Sequence, residues 1–176
     1  LGMLHKEQGD TAGAIQSSIQ TIELLDSIDN SSMPLLSLYD ELGEKENALR
    51  YFENAINIEP ERDEAYYSRG LFYHKNGDEK RAMLDYQKTV NVNGAHYYAY
   101  YNAGNILANQ GKYEEAIGQF EICIRIKEDF AKAFNRMGQC YELLKNYEKA
   151  RENYSKCLQI DPNFALAKEG LARIDL

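Results

Sequence analysis

One feature constrains this chain more than any other: residue types recur at an interval of 34. Ala14, Ala48, Ala82, Ala116 and Ala150 stand at that spacing, and so do Gly9, Gly43, Gly77 and Gly111. Gly2, Gly70, Gly104 and Gly138 form a third series, with Leu36 at its missing position. Phe52, Tyr86, Phe120 and Tyr154 make an aromatic series, and Ile22, Ile56, Val90, Ile124 and Leu158 an aliphatic one. A fixed period of this length marks an array of like supersecondary units. Each unit is too small to bury its own apolar face and relies on its neighbours to do so.

A single period can be read as local structure. In residues 97–110, Tyr100, Ala103, Gly104 and Leu107 follow the i, i+3, i+4, i+7 pattern of an amphipathic helix. Gly111 is placed to end it, because glycine enters the left-handed region without a Cβ penalty. Tyr113, Ala116, Ile117, Phe120 and Ile124 then resume the helical period. Glu114 and Glu115 fall in that helix's first turn, where carboxylates complement the dipole. The predicted unit is helix, tight turn, helix. Gly104 and Ala116 remove bulk where the two helices meet, and Phe120 fills the space beside them.

This pattern resembles the tetratricopeptide repeat, a 34-residue helix–turn–helix unit. The clearest copies are 63–96, 97–130 and 131–164, the last with Phe134, Gly138, Tyr141, Tyr147, Ala150, Tyr154 and Pro162 in register. Residues 29–62 form a fourth copy through Tyr39, Gly43, Ala48, Phe52, Ala55 and Pro60. Residues 1–28 read as the remainder of a fifth, and 165–176 as a capping helix or the start of a further unit. The resemblance implies an all-α fold, a right-handed superhelical solenoid of stacked antiparallel helix pairs. Three departures mark the array. Pro34 shortens the first helix of the second copy, which is expected to start near Met33, and Leu36 replaces its glycine. Lys145 replaces the turn glycine of the last full copy, with Asn146 easing the turn. Gly94 and Glu128 stand at closing positions where the pattern has proline.

Charge narrows the function classes. Lys and Arg total 20 against 28 Asp and Glu, a formal net charge of -8. Residues 1–62 hold 4 basic and 12 acidic side chains, and residues 63–176 hold 16 of each. An acidic balance argues against binding a phosphate backbone. No apolar run approaches the roughly 18 residues of a membrane span. The first ten residues, LGMLHKEQGD, are not an intact secretory signal. The absence of an initiator Met suggests upstream residues; a cytoplasmic location is expected from the cysteine usage, with bacterial periplasm as the alternative if a signal precedes this segment.

The residues that usually carry chemistry have packing explanations. Cys123, Cys140 and Cys157 are half a repeat apart, and Cys123 and Cys157 take the small packing position held by Ala55. An odd count without CxxC points to a reducing compartment and away from zinc. His5, His74 and His96 lack metal-ligand spacing, and no nucleophile elbow, phosphate loop or dinucleotide fingerprint is present. No cofactor, metal or enzymatic activity is expected.

The resemblance implies that the first helices line a concave groove that takes a partner peptide. The side chains left over from packing would do the binding. They are Glu64, Tyr67, Ser68, Leu71, His74 and Lys75 in one copy, Tyr98, Tyr101, Asn102, Asn105 and Asn109 in the next, and Lys132, Asn135, Arg136, Gln139 and Glu142 in the third. Tyr67, Tyr98 and Tyr101 lie off the packing stripe, either as binding rings or as rings that cover the helices and pack on one another. One variant of the family grips a free C-terminal carboxylate. Asn102, Lys132 and Arg136 match its pattern, whereas Tyr67 and Leu71 stand where it has Lys and Asn. Lys132 and Arg136 are i, i+4 neighbours, able to converge on one anion or to form a solvated basic face. The expected function is a non-catalytic adaptor or scaffold that binds a protein or peptide ligand. The alternatives are self-association through the terminal helices, where Leu166, Leu171 and Ile174 offer apolar faces, and a substrate-recruiting region of a larger enzyme.

Overall fold

In the computed structural model the described residues are 45–175, with side chains from residue 48 onward. The expectations for 1–28, for the helix start at Met33 and Pro34, and for Leu36 lie outside them. Eight helices and no strand occur among the described residues: α1 Lys45–Ile58, α2 Asp63–Lys75, α3 Glu79–Val92, α4 Tyr97–Asn109, α5 Tyr113–Ile126, α6 Ala131–Leu143, α7 Tyr147–Ile160 and α8 Ala165–Ile174. The chain divides into two compact units, Leu1–Val92 and Asn93–Leu176. The described part of the first holds α1 to α3 and the second holds α4 to α8.

The hairpin turns repeat one geometry. At the end of α2 the Asp78 amide donates to the Tyr73 carbonyl at 2.9 Å. Lys112 donates to Leu107 after α4, and Asn146 to Tyr141 after α6, also at 2.9 Å. These six-residue bonds satisfy carbonyls that the helix ends would leave orphaned. They need one left-handed residue, supplied by Gly77 at φ 79°, Gly111 at φ 78° and Lys145 at φ 60°. Asn146 then caps α7, its Oδ1 accepting from the Lys149 amide at 3.2 Å. The turn without glycine thus forms, with a side chain held in strained backbone.

Within each hairpin the glycine of the first helix faces the aromatic ring of the second. A Cβ at Gly70 would lie 2.8 Å from Tyr86, one at Gly104 2.6 Å from Phe120, and one at Gly138 2.7 Å from Tyr154. The rings of Phe52, Tyr86, Phe120 and Tyr154 are almost wholly enclosed. Ala82, Ala116 and Ala150 are buried beside them, together with a further series at the same interval, Ala65, Ala99, Ala133 and Ala167. Ala55, Thr89, Cys123 and Cys157 share one buried position, and the three cysteines are free thiols. The second unit's core centres on Tyr154 with Phe134, Ala150, Cys157 and Ala167.

α8 docks as a first helix would, with its Gly170 only 2.4 Å from the Tyr154 ring at the position of a Cβ. Glu142 of α6 ties it down, accepting from Arg173 Nε at 2.9 Å and from the Tyr154 hydroxyl at 2.6 Å. Arg151 of α7 adds a bond from its Nε to Asp175 at 3.0 Å.

Candidate functional site

In the second unit, α4, α6 and α8 are the first helices of successive repeats, and their shared side carries the polar and aromatic residues that packing does not consume. At the start of α4, Tyr97 and Tyr98 stack with centroids 4.3 Å apart. Phe130, in the loop before α6, meets Tyr97, Tyr98 and Tyr101 nearly edge-on at 5.3, 5.4 and 5.0 Å. Tyr101 also contacts Phe120 at 5.8 Å. The rings therefore pack on one another and form a continuous half-buried platform. Burial raises the Tyr101 hydroxyl's pKa, against the opposing pull of the Asn105 hydrogen bond and the Arg136 charge.

Beyond the platform lies a polar network. Arg136 of α6 reaches across to α4, donating from Nε to Asn105 Oδ1 at 2.7 Å and from Nη2 to Asn109 Oδ1 at 3.3 Å. On its own helix it donates from Nη1 to Gln139 Oε1 at 3.0 Å. Three neutral amide oxygens thus fix the guanidinium in place and leave its charge unneutralised by them. Lys132, one turn earlier, is exposed. Asn102 is half-buried, one turn before Asn105 on α4. An open hollow of about 240 Å³ continues from Arg136, walled by Asn109, Gln139, Cys140, Leu143, Glu142 and Arg173. Its acid, Glu142, is engaged by Arg173 and held below the usual carboxylate range chiefly by that bond. Tyr98, Tyr101, Asn102, Asn105, Lys132, Arg136 and Gln139 therefore fall on one side of the unit. Asn109 and Glu142, which the helical period also assigns to this face, join them, and Leu143 and Arg173 do so without having been predicted from that period. Asn135, on α6 between Lys132 and Gln139, is buried and its Oδ1 has no hydrogen-bond partner.

The first unit departs from expectation at Tyr67. Its ring is only 6% exposed and packs on Tyr86 at 6.0 Å, so it is interior rather than projecting from the helix. The helical count places Tyr67 beside the packing stripe, but a ring of that length reaches back to α3 and fills space there. His74 behaves similarly: half-buried, its ring stands edge-on to Tyr86 with Nδ1 3.4 Å from the Tyr86 hydroxyl. Burial lowers the His74 pKa. Leu71 is partly exposed. Among the described residues no cluster of three His, Cys, Asp or Glu side chains is placed to hold a metal ion, and no helix is long and apolar enough to cross a membrane.

Comparison with known proteins agrees with this architecture. Residues 131–164 match the family model of the tetratricopeptide repeat, and residues 41–123 match that of the anaphase-promoting complex, cyclosome, subunit 3. No curated protein matches the chain. MamA from Desulfovibrio magneticus RS-1 is similar in structure, with 24% identity, a TM-score of 0.70, and coverage of 81% of this chain and 80% of its own. PilF of Pseudomonas aeruginosa has 21% identity and a TM-score of 0.70, over 80% of this chain and 64% of its own. The first repeat domain of Spaghetti, bound to the HSP90 peptide SRMEEVD, has 21% identity and a TM-score of 0.62, over 64% of this chain and 90% of its own. At these identities the likeness is one of fold.

Proposed function

Because the chain belongs to the tetratricopeptide repeat proteins, we propose that it is a non-catalytic interaction module whose unit Asn93–Leu176 holds the acidic end of a partner peptide. The observation that carries this reading is the Arg136 guanidinium, fixed by the amide oxygens of Asn105, Asn109 and Gln139. An arginine held by neutral groups keeps its full charge and loses little freedom when an anion arrives, which favours binding. Lys132 supplies a second cation on the same face. The tyrosine platform offers broad apolar area with hydroxyl edges for the residues that precede the anionic end. In this reading Asn102, on the same helix as Tyr98 and Tyr101, bonds the peptide backbone.

The peptide in the Spaghetti structure, SRMEEVD, ends in carboxylates and serves as a probe. Its affinity for this chain is measured by fluorescence anisotropy, with the C-terminal amide as control. Lys132→Ala is the discriminating variant, because the side chain is exposed and its loss leaves folding intact. Amidation and Lys132→Ala are each expected to weaken binding by about ten-fold, equivalent to about 1.4 kcal/mol. Equal affinity for the amidated peptide, or for Lys132→Ala and Arg136→Ala together, would remove the anion site from this face.

A further inference from the structure

The first unit carries two side chains that its repeat role does not require, Arg69 and Leu84, beside Tyr73, which shares the repeat register of Tyr39 and Tyr141. Arg69 and Tyr73 lie on the side of α2 opposite Tyr67, Leu71 and His74, since two residues along a helix turn the side chain through about 200°. With Leu84 and Lys88 of α3 they line a hollow of about 430 Å³. Leu84 is 62% exposed. At the matching positions of the next two repeats stand Gly118 and Glu152, so no packing demand of the repeat selects a leucine there. Arg69 occupies a position held by Ala103 and Met137 in those repeats, and Asp85 one held by Gln119 and Asn153.

The charged groups around the hollow are positioned rather than loose. Arg69 forks onto the buried Asp85, Nε to Oδ2 at 2.8 Å and Nη2 to Oδ1 at 2.7 Å, and this occupies both carboxylate oxygens. Arg81 lies over the Tyr73 ring at 4.5 Å while its Nε bonds Asp78 at 2.6 Å. Lys88 is exposed, with no ion-pair partner among the described residues. Arg81, Leu84 and Lys88 follow i, i+3, i+7 along α3, so cation, apolar side chain and cation share one stripe about 10 Å long. Of the acids nearby, Asp78 and Asp85 are engaged by arginines, and Glu53 of α1 acts on Arg69.

We propose that this face of α2 and α3 is a second docking surface, for an acidic amphipathic segment of another protein. That segment places a bulky apolar side chain in the hollow against Leu84 and Tyr73, and carboxylates against Arg81 and Lys88. Leu84 gives up its exposed surface on binding. Lys88 sets the register, because an apolar anchor without a flanking acid leaves it unpaired, while Arg81, already bonded to Asp78, adds a shared contact. The surface is built wholly from residues of the first unit, and the proposal does not rest on a ligand binding to the second.

The test uses the 176-residue chain and a short synthetic helical peptide with Glu, Leu and Glu at the complementary spacing, read by fluorescence anisotropy. Two control peptides replace the Leu by Ser or both Glu by Lys. The probe is expected to bind, and both controls to bind at least about ten-fold more weakly. Leu84→Glu and Lys88→Glu are each expected to reduce affinity for the probe by about ten-fold with an unchanged melting temperature, since both side chains are exposed. Lys132→Ala is expected to leave it unchanged. The proposal is overturned if the probe does not bind, if Leu84→Glu binds it equally, if the Ser control matches it, or if affinity follows Lys132 instead. Full displacement by inorganic phosphate alone would reassign the surface to a simple anion site.

Discussion

Tyr154 shows how little room the repeat leaves at a single residue. Gly138 presses its ring from α6 and Gly170 from α8, with would-be Cβ positions 2.7 and 2.4 Å from ring atoms, while Glu142 holds its hydroxyl. The ring can yield in neither direction. Gly138→Ala is therefore expected to cost about 1–3 kcal/mol through overpacking. Gly118, mid-helix in α5 with nothing within 4 Å of its Cβ position, is the internal control. There Ala restricts the unfolded chain and suits the helix, so Gly118→Ala is expected to gain about 0.5–1 kcal/mol. Chemical denaturation of the two variants distinguishes these outcomes, and a shift of the same sign for both would contradict the packing account. Residue-scale legibility was uneven. The glycine series declared itself by interval, because a missing side chain at a helix crossing is a local fact. The fate of Tyr67 did not, because helical phase gives only the direction in which a side chain leaves the backbone. Whether a long ring there meets solvent or α3 depends on the neighbouring helix.

At the scale of one element, α8 is held by a pH-dependent bond. The Arg173 hydrogen bond lowers the Glu142 pKa below its usual value, with the Tyr154 hydroxyl contributing in the same direction. A carboxylate depressed in the folded state stabilises that state at pH above its unfolded pKa, and the contribution is lost as pH falls through the folded value. Acidification below the ordinary glutamate range is thus expected to loosen α8 before the rest of the second unit. Protection factors for amide hydrogen exchange over Ala165–Ile174, taken relative to the intrinsic rate at each pH, should fall there, and Glu142→Gln should abolish that fall. Protection of α8 that stays constant with pH in the unaltered chain would place its docking energy in the Tyr154 contact instead. The helices themselves were legible because period and punctuation are encoded within about a dozen consecutive residues. Lys145 is instructive: its left-handed φ is what the glycine series requires at that point, although the residue type does not advertise it.

Over the whole chain the thiols report on one unit only. Cys123, Cys140 and Cys157 all lie within Asn93–Leu176, and residues 1–92 contain none. Burial pushes Cys123 up to about 12 and Cys140 and Cys157 up to about 11. Thiols that are both enclosed and protonated are poor nucleophiles at neutral pH. A disulfide-exchange reagent at pH 8 is expected to react with none of them in the folded chain and with all three once the second unit opens. Loss of helical signal without thiol release would then mark melting confined to the first unit. Rapid reaction of Cys140 in the folded state would show that the hollow beside Arg136 opens more deeply than its walls indicate.

The amino-acid order alone carried the repeat, the helix pairs, their turns and the small-residue contacts between them, since each depends on neighbours at fixed short separation. It also placed Lys132 and Arg136 on one helix face. Only the folded chain joined Arg136 to Asn105 and Asn109, some thirty residues away, enclosed the Tyr67 ring, and left Leu84 exposed beside Tyr73. The physical reason is range: helical phase is set by backbone hydrogen bonds four residues long, whereas the partner and the exposure of a long side chain are set by the helix that happens to pack against it.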